Sequence, residues 1–128
     1  MFSKKEEHNK AIDSLIGENI KIVGKIEGTG NIRVDGYIEG DMNYKGDIVI
    51  SNTGRVKGNI TCSNISISGI VNGNIVADEK LTILDSGKVI GDVETNNIVI
   101  HDSGFFQGNC KMKDRNIEKI EEELISLE

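Results

Sequence analysis

Gly36-Tyr37-Ile38-Glu39-Gly40-Asp41 decides the fold, because the chain repeats its pattern. The tag Gly-x-apolar-x-Gly-Asp/Asn returns at Gly54-Arg55-Val56-Lys57-Gly58-Asn59 and again at residues 69–74, 87–92 and 104–109. Successive tags start 18, 15, 18 and 17 residues apart. A period of this size means that one supersecondary unit is stacked many times, so the molecule extends along a single axis.

Working outward from one tag gives the unit. After Gly54, Val56 alternates with Lys57; beyond Gly58-Asn59, Ile60 and Cys62 alternate with Thr61; beyond Ser63-Asn64 comes Ile65-Ser66-Ile67. That is three short strands of period 2, separated by Gly, Asn and Ser corners. The same slots recur down the chain and form columns. One holds Ile38, Val56, Val71, Val89 and Phe106, another Met42, Ile60, Ile75, Val93 and Cys110. A third holds Tyr44, Cys62, Ala77, Thr95 and Met112, and the Ile-x-Ile strands supply the rest.

Columns of like aliphatic residues facing inward describe an all-β triangular solenoid. The segment from Asn19 to Gly28 continues the pattern less regularly, which gives about six rungs. At about 4.8 Å per rung the body is about 29 Å long. Glycine supplies corners of positive φ, and Asp41, Asn59, Asn74, Asp92 and Asn109 are expected to tolerate left-handed corners and to ladder their side chains. Cys62 and Cys110 both fall in inward columns and read as small buried hydrophobes.

Two solenoids compete. Apolar residues recur every six from Ile20 through Ile26, Ile32, Ile38, Tyr44, Ile50 and Val56 to Cys62, as in left-handed hexapeptide-repeat acyltransferases. The register then slips, and the residue after each aliphatic is Lys, Glu, Arg or Ser instead of a small one. A right-handed parallel β-helix, the usual hand of parallel crossovers, is the expectation.

Composition narrows the function. A formal charge of -6 argues against a nucleic-acid groove, which needs a basic face to displace counterions. No apolar run approaches the roughly 20 residues that cross a bilayer, so a cytoplasmic chain is expected. No GxxxxGK phosphate loop is present, so assembly is expected to need neither nucleotide nor other cofactor. His8 and His101 are the only histidines. His101-Asp102-Ser103 reads as an exposed corner, since neighbours in sequence do not make a triad. Asp35, Glu39, Asp41 and Asp47 cluster in sequence and read as a solvated face. No enzyme activity and no metal site are expected.

A solenoid has two open ends, each a row of free backbone groups over an apolar core, and terminal repeats are usually made polar to block them. Here the last rung carries Phe105 and Phe106. This invites end-to-end stacking on a second copy, with the two rings as the polymer contact. The flanks suggest more partners. Residues 1–16 form a leader in which Met1, Phe2, Lys4 and Lys5 suit an anionic membrane surface. Residues 17–112 form the solenoid. In residues 113–128, Ile117, Ile120, Leu124 and Leu127 share one face of an acidic amphipathic helix, which caps the solenoid or docks on a partner.

The tags, the Ile-x-Ile strands and the leader together resemble a bactofilin, and the match covers about residues 17 to 112. Ile32-Arg33-Val34-Asp35-Gly36 running on to Asp41 is especially similar to that family's opening segment. The resemblance implies a bacterial cytoskeletal protein with a right-handed parallel β-helix. It implies non-polar, nucleotide-free filaments at the inner face of the cytoplasmic membrane, which scaffold cell-envelope or shape-related proteins. It places an aromatic such as Phe105 or Phe106 at the C-terminal contact, and Met1, Phe2, Lys4 and Lys5 in the membrane leader. The family's proline-rich tails are absent, and the acidic segment stands in their place. A left-handed acyltransferase and a monomeric solenoid adaptor are the alternatives.

Overall fold

In a computed structural model, residues 12–113 are described; every one of their regular elements is a strand, and every pairing between strands is parallel. The chain winds through three walls, about six times. The first wall is a six-stranded sheet of three-residue strands: Lys21–Val23, Tyr37–Glu39, Arg55–Lys57, Ile70–Asn72, Lys88–Ile90 and Phe105–Gln107. The second and third walls are built from longer strands, Ile26–Val34, Met42–Ile50, Ile60–Ile67 and Ile75–Ile83, each of which turns a corner without leaving the ladder. In the fifth turn the same path is broken into Val93–Thr95 and Ile98–Ile100. The expectation of three separate strands per turn therefore holds for the first wall and the fifth turn. Elsewhere the backbone stays extended through the corner, helped at Gly30 and Gly46 by positive φ.

Ser14–Ile16 opens the third wall, pairing with Ile32–Val34, so the solenoid begins inside the stretch read as leader. Nothing in residues 14–16 carries the tag, which is why the repeat did not reveal them.

The register explains the uneven period. The corner between the second and third walls holds three residues in one turn (45–47), two in the next (63–64), then three (78–80) and two (96–97). The corner back to the first wall holds four residues at 51–54, two at 68–69, and four again at 84–87 and 101–104. Every strand keeps its columns while the corners absorb the difference, and ladder shifts occur between Asn43 and Asp47 and between Cys62 and Asn64. The six-residue rhythm fails after Cys62 for this reason alone.

The core is the set of inward columns. Ile38, Val71, Val89, Ile48, Ile67, Ile83 and Leu81 are fully buried. At about 25 cal/mol per Å² of apolar surface removed from water, these stacks are the main favourable term in folding. Tyr44 is accommodated because Gly28 lies below it; a Cβ on Gly28 would come within 2.7 Å of the ring. Thr95 is the fully buried polar member, and its hydroxyl donates to the Asn97 carbonyl at 3.2 Å.

The corner between the first and second walls is the most regular. Gly40, Gly58, Gly73, Gly91 and Gly108 all have φ between 145° and 155°, and a side chain on Gly58 would collide with the Gly40 carbonyl. Among the described residues no other residue type takes a positive φ. The expectation that Asp and Asn share the left-handed work is corrected here, because glycine does all of it. The expected ladder does exist, in a different form. The Asp41 carboxylate accepts the Asn59 N–H at 3.0 Å, Asn59 accepts Asn74, and Asn74 accepts Asp92, each side chain holding the backbone of the turn above.

Candidate polymer interface

The two ends of the solenoid are built from the same columns as its middle, with nothing stacked outside them among the described residues. At the C-terminal end, Phe106 is in register with buried Val89, Cys110 with buried Val93, Met112 with Thr95, and Ile100 with Ile83. Ile100 and Met112 are each 45% exposed, whereas the residues one turn below them are fully buried. Cys110 is exposed too, so its reading as a buried hydrophobe is corrected: it occupies the inward column, but no further turn covers it. Burial pushes its thiol above the usual cysteine value, and pushes that of Cys62 up to about 12, with Asp78 and Asp47 adding to the effect.

The two phenylalanines separate. Phe106 points inward and packs on the core, while Phe105 stands in the outward column beside Lys88, 44% exposed. Phe106 thus belongs to the end surface and Phe105 to its rim and the first wall. Ile100, Cys110 and Met112 complete the end. They were legible as the last members of their columns, but the aromatic pair drew the reading away from them.

At the N-terminal end, Ile16, Ile22 and Ile26 are only partly buried, and Ile20 is 50% exposed. Among the described residues no strand pairs beyond the outermost turn at either end, and such an edge accepts a further strand in register at about 4.8 Å. Met1, Phe2, Lys4 and Lys5, like the acidic helix expected within residues 113–128, lie outside the described residues, apart from Lys113. Lys113 ends the described chain, with its ammonium 3.4 Å from Asp78 and 3.6 Å from Glu94.

The residues weighed for catalysis are scattered. His101 Nδ1 lies 4.0 Å from an Asp85 carboxylate oxygen on an exposed corner. Asp35, Glu39, Asp41 and Asp47 do not form one face, since consecutive strands point them to different sides of the solenoid. Hydrogen bonds from Ser51 and then Arg33 hold the Asp35 carboxyl below the usual carboxylate value. Asp41 accepts a backbone N–H, and Asp47 accepts from Asn64 at 3.1 Å. A groove of about 310 Å³ lies on the third wall, lined by Val49, Ser66 and Thr82 among others. Among the described residues no three His, Cys, Asp or Glu side chains gather to hold a metal ion, and no helix is long and apolar enough to cross a membrane.

The described residues define a class of protein, the parallel β-solenoid whose apolar columns run out to its end turns. The comparisons with known proteins make the class specific. The family model described as "Bactofilin: Polymer-forming cytoskeletal" matches residues 14–111. Bactofilin BacO of Myxococcus xanthus is 33% identical over 100 residues, covering 78% of this chain and 79% of that protein. Bactofilin BacP of the same organism is 30% identical over 102 residues, which are 80% of this chain and 42% of the longer relative. Among solved structures, Thermus thermophilus bactofilin, reconstructed by cryo-EM as double helical filaments, has a TM-score of 0.71 at 21% identity, covering 78% of this chain and 99% of that one. The cytoskeletal bactofilin BacA, solved by solid-state NMR, also gives 0.71, at 24% identity, covering 80% and 98%. The chain belongs to the bactofilin family. Membership places it with the polymer-forming cytoskeletal proteins and apart from the acyltransferases weighed above.

Proposed function

We propose that this protein is a cytoskeletal scaffold that polymerises by stacking solenoid ends, without nucleotide, into non-polar filaments. The observation that carries this reading is the C-terminal end. Four columns that are buried one turn below emerge there as Phe106, Cys110, Met112 and Ile100. Fully burying such side chains is worth about 1.5–3 kcal/mol each, a gain that works with strand-edge pairing against the cost of association. Membrane attachment through Met1, Phe2, Lys4 and Lys5, and recruitment of envelope-related proteins, are part of the same proposal. Both rest on the family resemblance and on the basic, apolar leader. Many weakly binding leaders on one filament would bind avidly.

The test is negative-stain microscopy of the purified chain in plain buffer, beside the Phe106→Arg variant. Filaments a few nanometres wide are expected for the native chain. Their loss in a folded Phe106→Arg variant is expected because the substitution buries an unpaired charge in the contact. Native protein that stays monodisperse at high concentration, or filaments indifferent to Phe106→Arg, would overturn the end-to-end contact. A Phe105→Arg variant that still polymerises would confirm that the two rings have separate roles.

A further inference from the structure

The walls differ sharply in charge. Across residues 12–113 acidic side chains outnumber basic ones by three. The outward positions of the first wall reverse this: Lys21, Arg55, Lys57 and Lys88 stand there with Glu39 as the single acid. Between the cations the same wall exposes apolar groups, Val23 at 70%, Phe105 at 44% and Ile90 at 38%. Lys21 lies over the Tyr37 ring, 5.5 Å from its centre. The cations sit in the first, third and fifth turns, so they repeat about every 10 Å along a flat sheet.

One segment of the chain carries the complement. Residues 114–128 hold six acidic and two basic side chains, and Ile117, Ile120, Leu124 and Leu127 recur among them at helical spacing. Residues 118–128 at helical rise measure about 15 Å, against about 19 Å from Lys21 to Lys88 across four turns. The charges are opposite and the two lengths are similar.

We propose that the first wall is a docking surface for the acidic segment 114–128 of a second copy lying alongside. The second copy follows from where the chain leaves its own solenoid. The Lys113 N–H donates to the Thr95 carbonyl at 2.7 Å, and its ammonium is held by Asp78 and Glu94. These sites lie at the corner between the second and third walls, which faces away from the first wall. The point from which the segment departs therefore lies on the side remote from its own basic sheet. This lateral contact uses a surface different from the end contact, so each stands or falls alone.

The test uses full chains. An equal mixture of nitrogen-14 and nitrogen-15 protein is treated with a carbodiimide, which joins lysine to carboxylate only at contact distance. Crosslinks from Lys57 and Lys88 to Glu118, Glu121, Glu122 or Glu123 that join the two isotopes are expected. Their yield should fall about tenfold or more in Lys21→Glu/Arg55→Glu, which keeps both reacting lysines, and likewise in about 1 M salt, where the screening length is about 3 Å. Adding Glu121→Lys/Glu122→Lys to that variant should bring isotope-mixed crosslinks back, now running from positions 121 and 122 to positions 21 and 55. The crosslinks should also survive Phe106→Arg, which separates this contact from the end-to-end one. Crosslinks confined to one isotope, or none, would overturn the proposal. So would phosphatidylserine vesicles that bind the native chain, lose the face variant and compete the crosslinks away, since the wall would then belong to lipid.

Discussion

Single residues in this molecule are constrained by their place in a stack more than by their local strand. Gly58 has φ of 155°, and a Cβ there would strike the carbonyl of Gly40 in the turn below. Gly58→Ala is expected to lower stability by about 3 kcal/mol, since both strain and collision must be relieved. Gly17→Ala, where a Cβ meets nothing within 4 Å, should change it by no more than about 0.5 kcal/mol; denaturant midpoints of the two variants settle this. The cysteines diverge in the same way. Cys62 is buried and its thiol is pushed up to about 12, so at pH 8 it holds its proton and is out of reach. Iodoacetamide should label Cys110 alone in the native monomer and both residues in denaturant. The raised value also has a sign for stability. Above pH 9 the unfolded thiol ionises while the folded one does not, so Cys62 lowers stability as pH rises from about 9.0 toward about 12.

At the scale of one turn, the corner ladder does what a capping residue does for a helix. Asn74 accepts the Asp92 N–H while donating its own N–H to Asn59, so each polar side chain closes a gap between neighbouring turns. Asn74→Ala should cost about 1 kcal/mol, and Asn74→Asp, which keeps the acceptor, much less. Hydrogen exchange at the Asp92 amide would report the loss directly. Much of this level was legible in the sequence. Ile38, Val56, Val71 and Val89 announce their column because strands alternate and turns repeat. What could not be read has physical causes. Cys110 obeys the alternation, yet exposure depends on whether another turn lies above it, which no local pattern encodes. Phe106 was legible as the inward member of its column, but the adjacent pair suggested one shared contact, and period 2 sends Phe105 to the opposite side. The basic wall went unseen because Lys21, Arg55, Lys57 and Lys88 are spread over 68 residues and meet only when the chain is wound. Ser14–Ile16 went unseen because its strand is recruited by the ladder of Ile32–Val34 and not by its own composition.

As a whole the molecule is a short column whose sides and ends carry different instructions. The ends are apolar and edge-exposed, one side is basic, and the remaining outward surface is acidic on balance. Because stacked turns contact only their neighbours, the column's length follows from the number of windings and not from the number of residues. The unequal corners then have a practical meaning. Two of the three corners already gain and lose one or two residues from winding to winding without moving any column. Those corners behave like slack in a wound cable. A short tag inserted between Ser63 and Asn64 should loop outward and leave circular dichroism and filament growth unchanged. A single residue added between Val56 and Lys57 should turn the rest of that strand inside out. The chain can therefore drift in phase, or carry cargo, at fixed points around its girth while the column it forms stays the same.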